Sequence, residues 1–320
     1  MTSAFALSDH DSAQLPLATE LIAVIVASSG GAARILTIGG GDRLPSGPLE
    51  SRHRSLQSGL RAWVEAQTRH QLGYMEQLYT FADPDRTGSA PNVRVISVSY
   101  LGLTRESQKA SFSDAGWRDW YRYFPWEDHR AGAPPLIAAA IAPRLSAWAH
   151  GATTAALRRE RRQRADITFG LNGHRWNEEL ALHRYELMFE AGLVEEAHRA
   201  GADLRERAGL FGRPMVHDHR RILATGIARL RAKIKYRPVV FELMPDEFTL
   251  FQLQQTFESL SGRLLHKQNF RRFIEQQQLV EETGDIATET GGRPAKLFRF
   301  RREVRIERAI GGTKLPTPRS

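Results

Sequence analysis

Alternating and continuous apolar runs predict a mixed sheet in the first third of the chain. Residues 21–27 (LIAVIVA) and 34–38 (RILTI) are two β-rich runs, and the residues between them, 28–32, have the composition of a turn. Further strands are expected at 74–81 and 93–103, because β-branched and aromatic residues are concentrated in both. The pattern therefore predicts four strands before residue 104.

Helical periodicity replaces the strand pattern between and after these strands. An amphipathic helix is expected at 55–70, and the spacing of apolar residues predicts further helices at 134–150, 154–165 and 177–191. Residues 113–126 (SDAGWRDWYRYFPW) concentrate aromatic side chains and are also expected to be helical. We interpret this cluster as packing between domains, in preference to a site that stacks a nucleotide base.

A long amphipathic helix is predicted at 217–236. Leu223, Ile227, Leu230 and Ile234 form an apolar stripe at positions i, i+4, i+7 and i+11. Such a stripe suits a rigid connector or a dimer contact, and it suits ordinary burial in the core equally well. The sequence leaves these alternatives open.

Two helices in sequence follow near the C-terminus. Thr249 is a good N-cap for a helix at 250–260, and Gly262 ends that helix. A second helix is expected at 267–277, with amide and guanidinium groups on its outer side. Its opposite, apolar face is formed by Phe270, Phe273, Ile274 and Gln277. This arrangement is typical of a recognition helix, which reads base edges in the major groove of DNA.

Two short strands at 279–280 and 297–300 then enclose a polar, Gly-rich wing. The order of helix, turn, basic helix, strand, wing and strand predicts a winged helix-turn-helix. A solvated basic face on an ordinary helical hairpin is the alternative. The residues predicted to contact DNA are Thr249, Lys267, Gln268, Asn269, Arg271, Arg272, Arg293 and Lys296.

The distribution of charge supports a DNA partner. The formal net charge of the 320-residue chain is +9, and residues 216–320 hold 20 of its 45 Lys and Arg but 12 of its 36 Asp and Glu. Neutralisation of phosphates by Lys and Arg supplies the sequence-independent part of DNA affinity. The chain has no cysteine, which excludes disulfides, thiolate metal sites and cysteine nucleophiles. We predict neither a catalytic nor a metal site.

Several motifs of the first domain resemble the Nudix-like domain of the NrtR group of bacterial regulators. The turn at 44–47 (LPSG) is followed by a helix, then by 75–81 (MEQLYTF) and by the strand at 95–103. Asp83, Pro84 and Arg86 also match the pattern. In the C-terminal half, residues 217–223 (HDHRRIL), Arg237-Pro238, Phe248-Thr249 and 292–295 (GRPA) look like the linker helix and winged helix of that group.

The resemblance covers roughly two-thirds of the chain, and the long middle insert is similar to the NadQ branch, which regulates NAD biosynthesis. It implies an α+β fold, with an N-terminal Nudix-like α/β sandwich domain, a helical insert and a C-terminal winged helix-turn-helix. The expected division is a nucleotide-sensing domain at 1–128, the insert at 129–215, a linker helix at 216–236 and a DNA-binding domain at 237–320.

The Nudix box that binds divalent metal is degenerate in this sequence. Catalytic boxes place glutamates on one helix face, because hard metal ions require oxygen ligands. Here Ala62-Trp63 stand where the box has Arg-Glu, Ala66-Gln67 stand where it has the paired glutamates, and Arg69 replaces the final glycine. Glu65 is one position away on a different face, and Glu50 lies in the preceding turn. We therefore predict that the fold is retained without hydrolase activity.

A nucleotide-sized pocket without its catalytic metal suggests a sensor. The resemblance implies an adenine-nucleotide effector, such as ATP, NAD or ADP-ribose. The residues predicted to bind its phosphates are Arg43, Arg52, His53 and Arg54, which surround the LPSG turn. A solvated position is the alternative for each of them.

The sequence as a whole predicts a DNA-binding transcriptional repressor that an adenine nucleotide controls. We expect a homodimer on a palindromic operator of double-stranded DNA, located in the cytoplasm and without a membrane partner. Two alternatives remain: a Nudix-type nucleotide pyrophosphatase with an irregular box, and an RNA-binding or scaffold protein with a basic surface.

Overall fold

The computed structural model describes residues 16–83, 93–106, 114–198, 209–236, 239–287 and 294–301. Its elements follow the order β1 (Leu17–Ser29), β2 (Ala32–Thr37), β3 (Ser46–Pro48), α1 (Leu56–Thr68), β4 (Tyr74–Phe81), β5 (Arg94–Leu103), β6 (Gly116–Asp119), α2 (Ala142–His150), α3 (Ala155–Phe169), α4 (Ala181–Glu190), α5 (His219–Tyr236), α6 (Leu250–Ser261), α7 (Lys267–Gln277), β7 (Val280–Ala287) and β8 (Ala295–Phe300). The four strands and the helix predicted before residue 104 are confirmed.

The first six strands form one mixed sheet in the order β4-β5-β1-β2-β6, and β3 pairs with β1. β1 and β5 run parallel, while the other neighbours are antiparallel. The turn between β1 and β2 consists of Gly30 and Gly31, whose φ angles are 56° and 72°. Two successive positive φ angles are those that a two-residue hairpin requires, and glycine adopts them without steric cost.

One face of this sheet packs against α1. Because side chains alternate across a strand, Leu21, Ala23 and Ile25 of β1 point to the same side. There they form a buried cluster with Leu60 and Val64 of α1. The amphipathic spacing that predicts α1 is therefore the spacing of its contact with the sheet.

The other face of the sheet packs against α5. Ile22, Val24 and Val26 of β1 belong to a second buried cluster that also contains the whole predicted stripe of α5, Leu223, Ile227, Leu230 and Ile234. Burial of four such side chains contributes roughly 6–12 kcal/mol, which is comparable to the total stability of a domain. The helix expected to be a linker is thus the second helical layer of the sandwich.

The close approach of α5 to the sheet depends on Gly226. A Cβ atom at this position would lie 2.8 Å from Cγ1 of Val24, so a larger residue would push the helix away. The dimer contact considered for the stripe is wrong, because these side chains are buried within the chain. The alternative of ordinary core burial is confirmed.

The helix predicted at 113–126 is not formed over the described residues of that segment, 114–126. Residues 116–119 form β6, which pairs with β2 between Arg34 and Thr37, and a 3₁₀ turn follows at 120–122. Pairing with a distant strand overrides the local helical pattern here. Trp120, Tyr123, Phe124 and Trp126 are completely buried, so the interpretation of the cluster as packing is confirmed.

The insert is helical as predicted. A π-helical turn at 137–141 leads into α2, and α3 continues to Phe169, beyond the predicted end, because Gly170 stops it with a φ of 63°. α4 packs on α5, which joins the insert to the sandwich. Within the described ranges, none of the helices is long and apolar enough to cross a membrane.

The C-terminal region has the predicted winged-helix order. α6 and α7 are followed by the two-stranded hairpin β7-β8. Phe248 forms an isolated antiparallel bridge with Phe298 of β8 through two backbone hydrogen bonds, of 2.9 and 2.8 Å. β7 is longer than the two residues predicted, because its pairing with β8 extends from Val280 to Ala287. The polar composition of residues 281–287 does not predict a strand, and their pairing with β8 is what extends β7.

Candidate DNA interface and nucleotide pocket

The two helices of the helix-turn-helix pack through their apolar faces. Phe257 of α6 meets Phe270 of α7 edge-on, with 5.4 Å between ring centroids, and Leu253, Leu260 and Ile274 are buried beside them. An amphipathic pair of this kind fixes the outward direction of the polar face of α7.

One residue was assigned to the wrong face of α7. Gln277 is exposed, although the sequence places it with the apolar residues. The reason is that the helix ends there, and Gln278 adopts a left-handed conformation with a φ of 49°.

The polar residues predicted to read DNA are grouped on the outer side of α7. Arg272 donates a hydrogen bond from Nη2 to Oδ1 of Asn269 at 3.2 Å. The side chains at the start of the helix lie within its first two turns, where recognition helices present residues to base edges. The exposed members of this surface are Lys267, Gln268, Asn269, Arg271 and Arg272.

A groove of about 690 Å³ lies between the start of α6, α7 and the wing. Lys267, Arg271 and Lys296 line it together with two carboxylates, Glu275 and Glu282. Glu282 accepts both hydrogen bonds of Lys296 at 2.9 Å. Lys296 is therefore paired in the free protein and must exchange this carboxylate for a phosphate if it contacts DNA.

The two remaining residues predicted to contact DNA are Arg293 and Thr249. Arg293 lies outside the described residues, so its role stays a prediction. Thr249 is 5% exposed, and its hydroxyl accepts the backbone N–H of Gln252 at 3.2 Å. The side chain of Gln252 accepts the backbone N–H of Thr249 in return, at 2.8 Å. This is a capping box, and it confirms Thr249 as the N-cap of α6.

Thr249→Ala is expected to lower the free energy of unfolding by about 1 kcal/mol, because it leaves the N–H of Gln252 without its acceptor. Chemical denaturation measures the change. Thr249→Ser retains the hydroxyl and should retain most of the stability. Equal losses in the Ala and Ser variants would show that the threonine methyl group, rather than the cap, is responsible.

The residues predicted to bind phosphates are not all in one place. Arg43 pairs with Asp42 at 3.3 Å, next to the turn at 39–41. Arg52 pairs with Glu50, and Arg54 is exposed. These assignments stay predictions.

His53 is held in a defined position beside α1. Its Nδ1 accepts the backbone N–H of Glu50 at 3.1 Å, and its ring meets Trp63 of α1 edge-on at 6.3 Å. Gly47 of the LPSG turn lies directly against Trp63, since a Cβ there would come within 2.4 Å of the indole ring. The structure thus joins the turn, His53 and α1 into one packed unit.

Helix α1 uses the positions of the Nudix box to hold a neighbouring strand. The side chain of Gln67 donates to the carbonyl of Ser46 at 2.7 Å and accepts its N–H at 3.2 Å. Trp63 donates from Nε1 to the carbonyl of Pro48 at 2.9 Å. In the described part of the chain, no three His, Asp or Glu side chains are grouped so as to hold a metal ion.

Glu20 belongs to this region and was not identified from the sequence. It lies opposite Pro48 near the start of β1, and its carboxyl hydrogen bonds with Ser46 and Ser97. Burial raises the pKa of Glu20, and these two hydrogen bonds oppose the shift. The sequence signal that could have identified Glu20 is its position directly before the apolar run of β1. Leu49 donates its N–H to the carbonyl of Thr19 at 2.8 Å, so the loop that carries the predicted phosphate ligands starts beside Glu20.

Glu20→Gln is expected to stabilise the fold at neutral pH. Because the folded pKa of Glu20 is raised above its ordinary 4.5, the wild type loses stability as the pH rises from 4.5 through the folded value. The advantage of the glutamine variant should grow across this window and then level off. Urea denaturation from about pH 4 to pH 8 measures it, with the exposed Glu65→Gln as the matched control. A difference independent of pH would contradict the assignment.

Comparison with known proteins gives matches at two levels. Residues 240–300 match the family described as the NrtR DNA-binding winged helix domain. A curated relative, the "ADPR responsive transcriptional repressor NtrR" of Acinetobacter baylyi, is 41% identical over 86 residues, which are 27% of this chain and 34% of the relative. The aligned segment therefore spans about a third of the relative's length.

Solved structures extend the likeness to the whole fold. Shewanella oneidensis NrtR complexed with a 27mer DNA is similar over 89% of this chain and 94% of that chain, with a TM-score of 0.53 and 19% identity. A MutT/nudix family protein from Enterococcus faecalis is similar over 92% and 90%, with a TM-score of 0.50 and 16% identity. At these identities the matches concern the fold.

These findings confirm the predicted fold class, a Nudix-like sandwich with a helical insert and a C-terminal winged helix. Residues 240–300 match the NrtR DNA-binding winged helix domain, and the chain as a whole is similar in fold to Shewanella oneidensis NrtR.

Proposed function

We propose that this protein is a transcriptional repressor whose winged helix binds operator DNA under the control of a nucleotide. The observation that carries the proposal is the exposed basic and amide surface of α7, from Lys267 to Arg272, within an NrtR-type winged helix. Asn and Arg side chains at the start of such a helix suit adenine and guanine edges.

We infer that the effector is ADP-ribose, bound at the end of the sheet where β1 begins. The name of the Acinetobacter relative supports this choice over ATP and NAD. Arg52, His53 and Arg54 lie in the loop at that end of the sheet and suit a pyrophosphate. The likeness to NAD-biosynthesis regulators makes those genes the proposed targets.

The Nudix-like domain is proposed to be catalytically silent. Gln67 and Trp63 occupy box positions with an amide and an indole, and both groups are engaged with the backbone of β3. An amide and an indole that are hydrogen-bonded to β3 cannot replace the carboxylate oxygens that a hard metal ion needs. The proposed division of labour is a sensing domain at 1–128 completed by α5, an insert at 129–215 and a DNA-binding domain at 237–320.

The small number of base pairs that one recognition helix can contact supports a homodimer on a palindromic operator. One recognition helix contacts too few base pairs to single out a genomic site, and two-fold symmetry doubles that number. Effector binding would then regulate by population shift, because it favours one relative arrangement of the two winged helices. A nucleotide with equal affinity for both arrangements would regulate nothing.

Duplex binding tests the proposal. The DNA should come from upstream of the protein's own gene and of neighbouring NAD-biosynthesis genes, and a scrambled duplex of the same length is the control. We expect at least roughly 10³-fold tighter binding to the operator at fixed salt. Equal affinity for both duplexes would favour the alternative of an RNA-binding or scaffold protein with a basic surface.

The pyrophosphatase alternative has its own test. It requires Mg²⁺-dependent turnover of ADP-ribose that depends on Glu50 or Glu65, the carboxylates nearest to the box. Glu65 is exposed and accepts a long hydrogen bond of 3.4 Å from Gln71, and Glu50 pairs with Arg52. We expect no turnover above a heat-killed control, and turnover abolished by Glu65→Gln would overturn the proposal of a silent domain.

A further inference from the structure

The last turn of α6 is held by groups from outside the winged helix. A helix end leaves four carbonyls without partners inside the helix. Tyr121 donates its hydroxyl to the carbonyl of Ser259 at 2.6 Å, and Arg231 of α5 donates from Nε to the carbonyl of Leu260 at 2.9 Å. The backbone N–H of His129 binds the carbonyl of Gly262 at 2.7 Å.

Glu127 organises these donors from the centre of the protein. Its carboxylate is 1% exposed and lies between the guanidinium groups of Arg184 and Arg231, which are both completely buried. Arg184 donates from Nη2 to Oε2 of Glu127 at 2.9 Å. Burial acts against the charged form, but the two arginines outweigh it and keep the pKa of Glu127 below its ordinary value.

Two cations and one anion leave this cluster with an excess positive charge. Arg184 directs Nη1 to the carbonyl of Thr168, in the last turn of α3, at 3.0 Å. Arg231 directs Nε to Leu260, in the last turn of α6. Because the C-terminal end of a helix carries partial negative charge, both helix ends offset the excess. The partial negative charge at the end of α6 therefore stabilises the positively charged cluster.

The turn after α6 fits against this cluster without spare room. Gly262 has a φ of +72°, and a Cβ atom there would lie 2.3 Å from the carbonyl oxygen of Glu127. Arg263 and Glu178 add an ion pair at 3.2 Å on the rim. The recognition helix starts at Lys267, so the clamped turn is its direct support.

We propose that Tyr121, Glu127 and Arg231 are positioning residues of the DNA interface, which hold the end of α6 and so set the angle of α7. We call these three residues the α6 clamp. Helix α7 is roughly 16 Å long, so a tilt of about 10° at its support moves its far end by roughly 3 Å. Base-edge hydrogen bonds do not tolerate a displacement of that size. The effect on DNA recognition rests on the proposed function, whereas the effect on geometry does not.

Distance measurements between spin labels test the clamp. The chain has no cysteine, so labels at Ala66→Cys on α1 and Gln276→Cys on α7, both exposed, report the angle of the winged helix. The labelled chain is mixed with an excess of unlabelled wild-type chain, so that only distances within one protomer are recorded. We expect one narrow distance distribution in the otherwise wild-type chain without nucleotide. Tyr121→Phe and Glu127→Gln should shift or broaden it by several ångströms.

Matched variants separate positioning from stability. Tyr121→Phe removes the hydrogen bond to the carbonyl of Ser259 and keeps the ring, so its Tm should fall by about 5 °C or less. Glu190→Gln breaks an exposed ion pair with Arg164 on the insert and should leave the distances unchanged. If the Glu127→Gln protein does not fold, the distance distribution of the Tyr121→Phe protein tests the proposal. Wild-type distances in a folded Tyr121→Phe protein would overturn the proposal.

Operator binding then gives the functional readout. Tyr121→Phe should weaken operator binding about threefold or more, with a smaller loss on scrambled DNA. Equal losses on both duplexes would contradict a role in positioning. If the wild type shows no preference for the operator, the proposed function fails, and the distance measurement still decides whether the clamp exists.

Discussion

Replacing Arg220 with methionine is expected to lower the free energy of unfolding by roughly 3–5 kcal/mol. Arg220 is 1% exposed, pairs with Glu196 at 3.2 Å and donates to the carbonyl of Tyr123 at 3.0 Å. It also donates to the carbonyl of Phe211. Methionine fills similar volume but leaves a buried carboxylate and two carbonyls without this donor, and such groups cannot recover their hydration.

A second substitution shows whether the uncompensated charge is the cause. Glu196→Gln in the Arg220→Met background removes that charge and should recover part of the loss. The carboxylate of Glu196 also accepts the N–H of Met215 at 3.0 Å, a bond that glutamine can retain. Arg159→Met on the exposed face of α3 is the matched control and should change stability by less than about 0.5 kcal/mol. An Arg220→Met effect as small as that of the control would contradict the role assigned to the ion pair.

Arg272→Ala is expected to have the largest effect on sequence recognition. Loss of one bidentate contact to a base costs about 1–3 kcal/mol, which is roughly 5- to 150-fold in operator affinity. Arg272 is exposed on α7 and is oriented by its hydrogen bond to Asn269. Binding to scrambled DNA should change much less, and the preference at one operator position should be relaxed. Fluorescence anisotropy with a set of single-base operator variants measures both effects.

Lys267→Ala is the comparison for a phosphate contact. Lys267 lies at the first position of α7 and lines the groove next to the wing. Its loss should weaken binding to operator and scrambled DNA alike, and should reduce the salt dependence by about one released ion. If the Arg272→Ala and Lys267→Ala proteins behave identically, α7 does not read bases in the way that we propose.

Local sequence patterns were sufficient for the winged helix. Thr249 and Gly262 mark the two ends of α6, and α7 has the predicted bounds of Lys267 and Gln277. These signals reside within a few residues of each other, since caps and helical periodicity act locally. The surface of α7 was predictable for the same reason.

Long-range contacts explain what the sequence did not reveal. β6 forms because residues 116–119 pair with β2, about 80 residues away in the chain, and no local pattern specifies that partner. The ion cluster of Glu127, Arg184 and Arg231 likewise joins three distant segments. Each of these residues looks like an ordinary surface charge in the sequence, and only the fold brings them together.

The region proposed to bind the nucleotide was predictable in part. The degenerate box could be read directly from the chain, because a metal site requires carboxylates at fixed spacing. Gln67 and Trp63 donate hydrogen bonds to the backbone of β3. These contacts depend on how the LPSG turn packs on α1, which the sequence does not reveal. The burial of Glu20 depends on its neighbours in β3 and β5, and strand register is not encoded in the local sequence.

The most direct test of the central claim is an operator-binding titration in the presence and absence of ADP-ribose, at fixed salt, with ATP and NAD in parallel. Regulation through two arrangements of the winged helices predicts that ADP-ribose changes the operator Kd by roughly 5- to 150-fold, while the affinity for scrambled DNA changes far less. Operator binding that none of the three nucleotides alters would contradict the account of this protein as a nucleotide-controlled repressor.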